Sequence, residues 1–183
     1  MSFEYLADPQ RPAWSDQLPG RPEPYFLARG EGEHAKLFAD TFTVLVSGDE
    51  TAGQFGMFTA TCPSGDLIPT HAHADTHETF YIVEGSVRLF IQLADGEKVS
   101  RLLTDGDFGF VPAGLAHAYR VEKAATMLGV SSGGFERFFQ QMGTLADSLD
   151  PSSPPYVPGF PQMQAAATAH RMQFLPGFEW PEA

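Results

Sequence analysis

Short stretches rich in β-branched and aromatic residues recur through the middle of the chain, and turn-forming residues separate them. Stretches of this kind, bounded by Gly, Pro, Asn or Asp, are typical of β-strands. Because short turns connect most of them, the pattern indicates an antiparallel all-β sandwich or barrel. The predicted strands cover residues 41–47, 54–62, 79–83, 87–93, 98–103, 108–111, 116–121 and 126–131.

The apolar period becomes helical after residues 133–134. An apolar helix face is predicted from positions i, i+3, i+4 and i+7, which hold Phe135, Phe138, Phe139 and Met142. This face either covers the barrel only or also closes the mouth of an internal pocket. A second, Ala-rich helix is predicted over residues 162–172.

Proline is dense at both ends of the predicted barrel, which disfavours helix and central strand there. We therefore predict a single domain in three parts. Residues 1–37 form an arm that packs on the barrel or across a dimer interface. Residues 38–133 form the barrel core, and residues 134–183 form a helical segment and tail.

Composition narrows the classes of partner. The chain of 183 residues has 23 acidic and 11 basic residues, for a formal charge of -12. Such a surface repels nucleic acid and anionic membranes. No signal peptide or membrane span is apparent, so a soluble cytoplasmic protein is predicted. The one cysteine, Cys62, is predicted to be a buried, inert thiol.

Candidate metal ligands lie in two separate segments. His71 and His73 are two residues apart on an extended chain, so their imidazoles point to the same face. Glu78 opens the next strand and His117 lies further on. Three imidazoles and one carboxylate suit a divalent transition metal with an open position. The alternative is that these residues merely lie on a polar rim of the barrel. It would account for one His-x-His pair, but four ligand-type residues on two separate elements would then be a much rarer coincidence.

The other histidines fit this set less well. His77 adjoins Glu78 and is predicted to point to the opposite face, as a neighbour of the site or a surface residue. His34 and His170 match no motif and are predicted to be solvent or packing residues.

Strand alternation also predicts the lining of the pocket. If Glu78 and His117 point inward, so do the residues two and four positions after them. Together with earlier strands, the predicted lining is Phe42, Phe55, Met57, Phe58, Phe80, Tyr119 and Val121. A flat hydrophobic ligand suits such a pocket better than a sugar.

The spacing of these residues resembles the two-part signature of the cupin superfamily. The first part runs from Gly65 to Gly85 and contains His71, His73 and Glu78; the second runs from residue 106 to residue 121 and contains His117. The resemblance implies a jelly-roll barrel. The family usually has Asn where this chain has Val121, a position that is not a metal ligand.

Longer runs of residues resemble one group of proteins within this superfamily. Residues 71–82, 85–90, 103–112, 117–120 and 134–139 resemble bacterial single-cupin quercetin 2,3-dioxygenases. The resemblance implies cleavage of the central flavonol ring with O2, releasing CO and a depside. It also implies His71, His73, Glu78 and His117 as ligands, with Glu78 accepting the flavonol 3-hydroxyl proton. Nickel, cobalt, iron, manganese or copper all fit such a site.

Two alternatives stay open. The first is a cupin dioxygenase or isomerase that acts on another enolisable substrate. The second is a metal-dependent binding cupin without turnover. A homodimer is predicted because single cupins commonly pair through arms and outer sheet faces.

Overall fold

The computed structural model describes residues 17–132, 134–146 and 153–181. Residues 1–16 of the predicted arm and residues 147–152 of the predicted helical segment and tail lie outside these ranges. The described residues form these elements in chain order: β1 Glu33–Leu37, β2 Asp40–Val46, β3 Phe55–Cys62, β4 Leu67–His73, β5 Glu78–Gln92, β6 Lys98–Thr104, β7 Phe108–Val111, β8 His117–Ser132, α1 Glu136–Met142, β9 Thr144–Leu145, α2 Phe160–Ala169 and β10 Met172–Phe174.

The ten strands of the described residues join one antiparallel sheet, in which the two longest strands, β5 and β8, pair with each other and connect the remaining strands. The path runs β10-β4-β8-β3-β2-β1-β9, while β5 pairs with β6, β7 and β8. Strand β8 has 16 residues and pairs with β5 along most of its length, while β4 pairs with its first part and β3 with its last part. The predicted all-β antiparallel fold with C-terminal helices is confirmed.

The long strands differ from the prediction. Residues 79–83 and 87–93 belong to one strand, β5, and residues 116–121 and 126–131 belong to one strand, β8. Gly85 is the reason in β5: it has φ +95°, and a Cβ there would collide with the carbonyl oxygen of Ala124. Glycine therefore permits an irregularity within a strand here, where a turn was predicted.

The ends of the barrel also contribute to the sheet. Strand β1 lies inside the segment assigned to the arm and pairs with β2 and β9. The second helix was predicted over residues 162–172, but α2 spans Phe160–Ala169. It ends earlier than predicted because the chain turns after Ala169 and enters β10, which pairs with β4. Residues 17–28 contain no helix or strand, and Tyr25 donates a hydrogen bond of 2.6 Å to the carbonyl of Leu45 on β2.

Helix α1 covers one end of the barrel with the predicted apolar face. Its four members, Phe135, Phe138, Phe139 and Met142, are all buried. The Phe139 ring stacks on Phe42 of β2 with centroids 3.9 Å apart, and it meets the edge of Phe58 of β3 at 4.6 Å. These contacts place α1 directly over the core. No helix in the described part of the chain is long and apolar enough to cross a membrane.

Candidate metal centre

Three strands bring the four predicted ligands together. His71 and His73 lie near the end of β4, Glu78 is the first residue of β5, and His117 is the first residue of β8. In the ladder between β4 and β8, His71 is the partner of His117. One ligand atom from each of the four side chains lies within 4.8 Å of the others, and all four residues are buried. The structure therefore forms the cluster that the spacing predicted.

Backbone carbonyls orient two of the imidazoles. His71 Nδ1 lies 2.8 Å from the carbonyl oxygen of Pro69, and His117 Nδ1 lies 3.0 Å from that of Leu115. A carbonyl oxygen only accepts hydrogen bonds, so each Nδ1 carries the proton and each Nε2 faces the cluster. This arrangement is the usual outer-shell support of a metal-binding histidine.

The carboxylate of Glu78 sits between the other two histidines. Its Oε2 lies 2.8 Å from Nε2 of His117 and 3.3 Å from Nε2 of His73. Burial acts to raise the pKa of Glu78, but His73 and His117 outweigh it and hold the pKa well below its usual range. Glu78 is therefore ionised.

The neutral imidazole is the form that binds a metal. Burial, followed by the neighbouring imidazoles of His117 and His73, lowers the pKa of His71 to about 3. For His117, burial acts in the lowering direction, but the bond to Glu78 raises the pKa overall.

The donor set fits a transition metal. Both ring nitrogens of His73 are buried; Nε2 has only the 3.3 Å contact to Glu78, and Nδ1 has no hydrogen-bond partner among the described residues. A buried polar atom without a partner is costly in free energy, and a metal ion would satisfy it. Three imidazole nitrogens and one carboxylate oxygen suit nickel, cobalt, iron, manganese or copper.

A narrow cavity runs from this cluster into the barrel beneath α1. Its volume is about 70 Å³. Apolar and aromatic side chains dominate its wall, including those of α1, Met127 of β8 and Met172 of β10. Of the predicted pocket residues, the wall contains Phe42, Phe58, Phe80 and Tyr119.

The other three predicted pocket residues do not line this cavity. Phe55 and Met57 lie an odd number of positions from Phe58 on β3, so alternation turns them to the outer face, where Phe55 is 38% exposed. Val121 does point into the barrel, but it lies in the apolar core opposite Val87, beyond the end of the cavity. The unusual residue at position 121 therefore affects packing at that end of the core.

The remaining histidines lie outside the cluster. His77 is exposed and accepts a hydrogen bond of 3.1 Å from the backbone N–H of Ala113. His34 is buried and bonds to the hydroxyl of Thr43 at 2.8 Å. His170 bonds to Gln141 and contacts rings of α1.

A second buried polar group, which sequence reasoning did not identify, lies at the end of the core away from α1. We call Asp40, Cys62, Asp66 and Tyr119 the Asp40 cluster. The Tyr119 hydroxyl donates a hydrogen bond of 3.1 Å to Oδ2 of Asp40. Asp40 is fully buried, and its Oδ1 has no hydrogen-bond partner in the described part of the chain. Burial raises the pKa of the free Cys62 thiol well above its usual value, which agrees with an inert cysteine.

The Asp40 carboxyl predicts a pH dependence of stability. Burial, and then the nearby Asp66, raise the pKa of Asp40 to about 7. The folded protein thus holds this proton more tightly than the unfolded chain, so the stability it contributes is complete below about pH 4 and is lost as pH rises to about 7. The loss approaches about 4 kcal/mol in the free energy of unfolding.

Asp40→Asn removes this titration. We expect the variant to become more stable relative to wild type, with a larger free energy of unfolding, as pH rises from about 4 to about 7. Urea unfolding across this range measures the difference, with Asp95→Asn in an exposed turn as the matched control. A difference between Asp40→Asn and wild type that does not change with pH contradicts the assignment.

Comparison with known proteins adds to this geometry. Residues 58–131 match the family model of the cupin domain. Over 143 residues, the chain is 34% identical to a quercetin 2,3-dioxygenase of Bacillus subtilis (strain 168), covering 76% of this chain and 40% of that protein. It is 29% identical over 149 residues to a quercetin 2,3-dioxygenase of Aspergillus japonicus, covering 78% of this chain and 42% of that protein. The chain thus spans about two fifths of the length of these curated relatives.

Solved structures agree on the fold. Oxalate decarboxylase from Bacillus subtilis at pH 4.6 superposes with a TM-score of 0.51 at 19% identity, covering 64% of this chain and 32% of that chain. The structure of KdgF from Halomonas sp. superposes with a TM-score of 0.51 at 17% identity, covering 61% of this chain and 94% of that chain. At this identity the similarity concerns the fold alone.

Proposed function

Because residues 58–131 of the chain form a cupin domain, we propose that the protein is a metal-dependent dioxygenase. Its substrate is a flavonol such as quercetin, and the reaction opens the central ring with O2. The atoms balance when one flavonol and one O2 give one depside and one CO. The observation that carries this proposal is the buried cluster of three histidines and Glu78, open to an apolar cavity.

His71, His73, Glu78 and His117 are the residues that would hold the metal. A divalent ion bound there would act as a Lewis acid that lowers the pKa of a substrate hydroxyl. The carbonyls of Pro69 and Leu115 fix the imidazole orientations before the ion binds. Little rearrangement of the protein is then required.

Glu78 is the proposed acceptor of the flavonol 3-hydroxyl proton. The carboxylate of Glu78 is ionised and lines the cavity beside the histidines, where it can accept a proton from a bound hydroxyl. Deprotonation leaves the flavonolate electron-rich enough to react with O2. The apolar wall excludes water, which limits competing reactions.

The cavity has to widen to admit a flavonol. Binding cavities for ligands of this size have volumes of about 300 Å³ or more. The volume of this cavity is about 70 Å³. The aromatic side chains of α1 form one wall, so we propose that Phe135, Phe138 and Phe139 move when the substrate enters. Helix α1 would then control access to the site as well as cover the core.

The same narrow cavity favours a second candidate function. A smaller enolisable substrate would enter with less displacement of side chains, and the same residues would bind its metal and accept its proton. A cupin dioxygenase or isomerase acting on such a substrate is therefore the alternative. Turnover of quercetin distinguishes the two.

The test is the loss of the near-visible absorbance of quercetin. Protein stripped with a chelator is reconstituted separately with nickel, cobalt, iron, manganese or copper, and metal content is measured. We expect consumption in air with at least one metal, and none in the stripped protein or without O2. Unchanged quercetin with every metal, despite confirmed occupancy, contradicts the flavonol assignment.

A further inference from the structure

The wall of the cavity has few polar side chains. Among its described residues, the nitrogen- and oxygen-bearing side chains are His71, Glu78, Thr79 and Tyr119. The Thr79 hydroxyl already donates to the carbonyl of Val130 at 3.2 Å and accepts from its N–H at 2.9 Å. Outside the histidine and glutamate cluster, Tyr119 is therefore the wall residue best placed to recognise a polar group of a ligand.

Tyr119 lies one aromatic ring beyond the metal centre. It follows His117 by two residues on β8, so both side chains point into the barrel. The Phe80 ring stands between them, with its centroid 6.4 Å from that of His117 and 6.0 Å from that of Tyr119. His71, Glu78 and Tyr119 all line the cavity, so a flat ligand held at the cluster lies along a wall that includes Tyr119.

Asp40 fixes the direction of the Tyr119 hydroxyl. The hydroxyl donates its proton to Oδ2 of Asp40, so its oxygen keeps lone pairs that can accept a hydrogen bond. A fully buried carboxyl with one oxygen unpartnered among the described residues is costly for packing alone. A role in orienting Tyr119 accounts for the presence of a carboxyl at this position.

We propose that Tyr119, oriented by Asp40, recognises a ring hydroxyl of the substrate at the end of the cavity remote from the metal centre. This inference rests on the proposed flavonol substrate and makes it more specific. The favoured ligands are flavonols that carry a hydroxyl on the ring entering this end, in addition to the 3-hydroxyl. Flavonols without such a hydroxyl would bind through the metal centre and the apolar wall alone.

The test compares quercetin with 3-hydroxyflavone, which lacks the other ring hydroxyls. Equilibrium binding to metal-loaded protein is measured by calorimetry without O2, so that no turnover occurs. We expect Tyr119→Phe to weaken quercetin binding by about 2- to 10-fold, the effect of one lost hydrogen bond. Binding of 3-hydroxyflavone should be unchanged.

Two variants serve as controls. Asp40→Asn keeps an acceptor for the Tyr119 hydroxyl, so it should retain the wild-type preference for quercetin. Tyr81→Phe removes a tyrosine hydroxyl from an exposed residue of β5 outside the cavity and should not alter the preference either. The inference is overturned if Tyr119→Phe weakens both flavonols equally or neither of them.

Failure of the proposed dioxygenase activity would give a result different from failure of the proposed role of Tyr119. Wild-type protein that binds quercetin but does not consume it in air contradicts the dioxygenase, while the binding preference still decides the role of Tyr119. Wild-type protein that binds neither flavonol overturns both.

Discussion

Glu78→Gln is expected to lose nearly all oxygen-dependent consumption of quercetin. Glutamine retains a carbonyl oxygen that can coordinate a metal, but it cannot accept the substrate proton as a carboxylate does. Loss of a general base typically lowers the rate by about 100- to 10,000-fold. Initial rates of quercetin loss at saturating O2, together with metal content, measure the effect.

Glu84→Gln is the matched control, because Glu84 is an exposed residue of the same strand, β5. It should keep the wild-type rate. If Glu78→Gln retains its metal and more than about a tenth of the wild-type rate, Glu78 is not the proton acceptor.

Among the proposed variants, Arg137→Ala is expected to lower the free energy of unfolding the most. The guanidinium lies at the start of α1, where Nη1 bonds to Glu33 at 2.8 Å and Nη2 bonds to Asp49 at 2.6 Å. Its side chain is only 8% exposed, and that of Glu33 only 3%. Removing it leaves buried carboxylates without a cation, so the free energy of unfolding should fall by about 3–5 kcal/mol. Urea unfolding of the metal-free protein measures the change.

Arg171→Ala is the matched control. Arg171 bonds to Asp75 at 2.6 Å, but the two side chains are 66% and 52% exposed. Exposed pairs of this kind contribute about 1 kcal/mol or less. Equal losses in the two variants would show that burial does not determine the contribution of Arg137.

The cluster of candidate metal ligands was predictable because most of its signal is local. A His-x-His pair on an extended chain has only one relative orientation, and Glu78 and His117 each begin a strand at a recognisable position. The apolar face of α1 was predictable for the same reason, since a helical period is visible within eight residues. The grouping of His117 with the other three residues came from the spacing of the two-part cupin signature, because His117 lies 39 residues after Glu78.

The pocket lining was predicted less well. Met57 and Phe58 are consecutive on β3, so only one of them can face the cavity, and composition alone does not say which. The structure places Phe58 inside, against Phe42 and Phe139. Contacts between strands determine which of the two side chains faces the cavity, and these contacts involve residues far apart in sequence.

The buried polar groups gave no local signal. Tyr119 and Asp40 are 79 residues apart, and Arg137 and Glu33 are 104 residues apart. Asp40 and Glu33 resemble ordinary surface carboxylates in a chain with 23 acidic residues. Only the path of β1 and β2 through the sheet brings them into the interior.

The proposed ring cleavage has a stoichiometry that tests it most directly. Metal-loaded protein is given quercetin in a sealed vessel, and CO, O2 and quercetin are measured together. The proposal predicts one CO released and one O2 consumed for each quercetin lost, with neither change in Glu78→Gln. Loss of quercetin without CO would contradict cleavage of the central ring and indicate another oxidation.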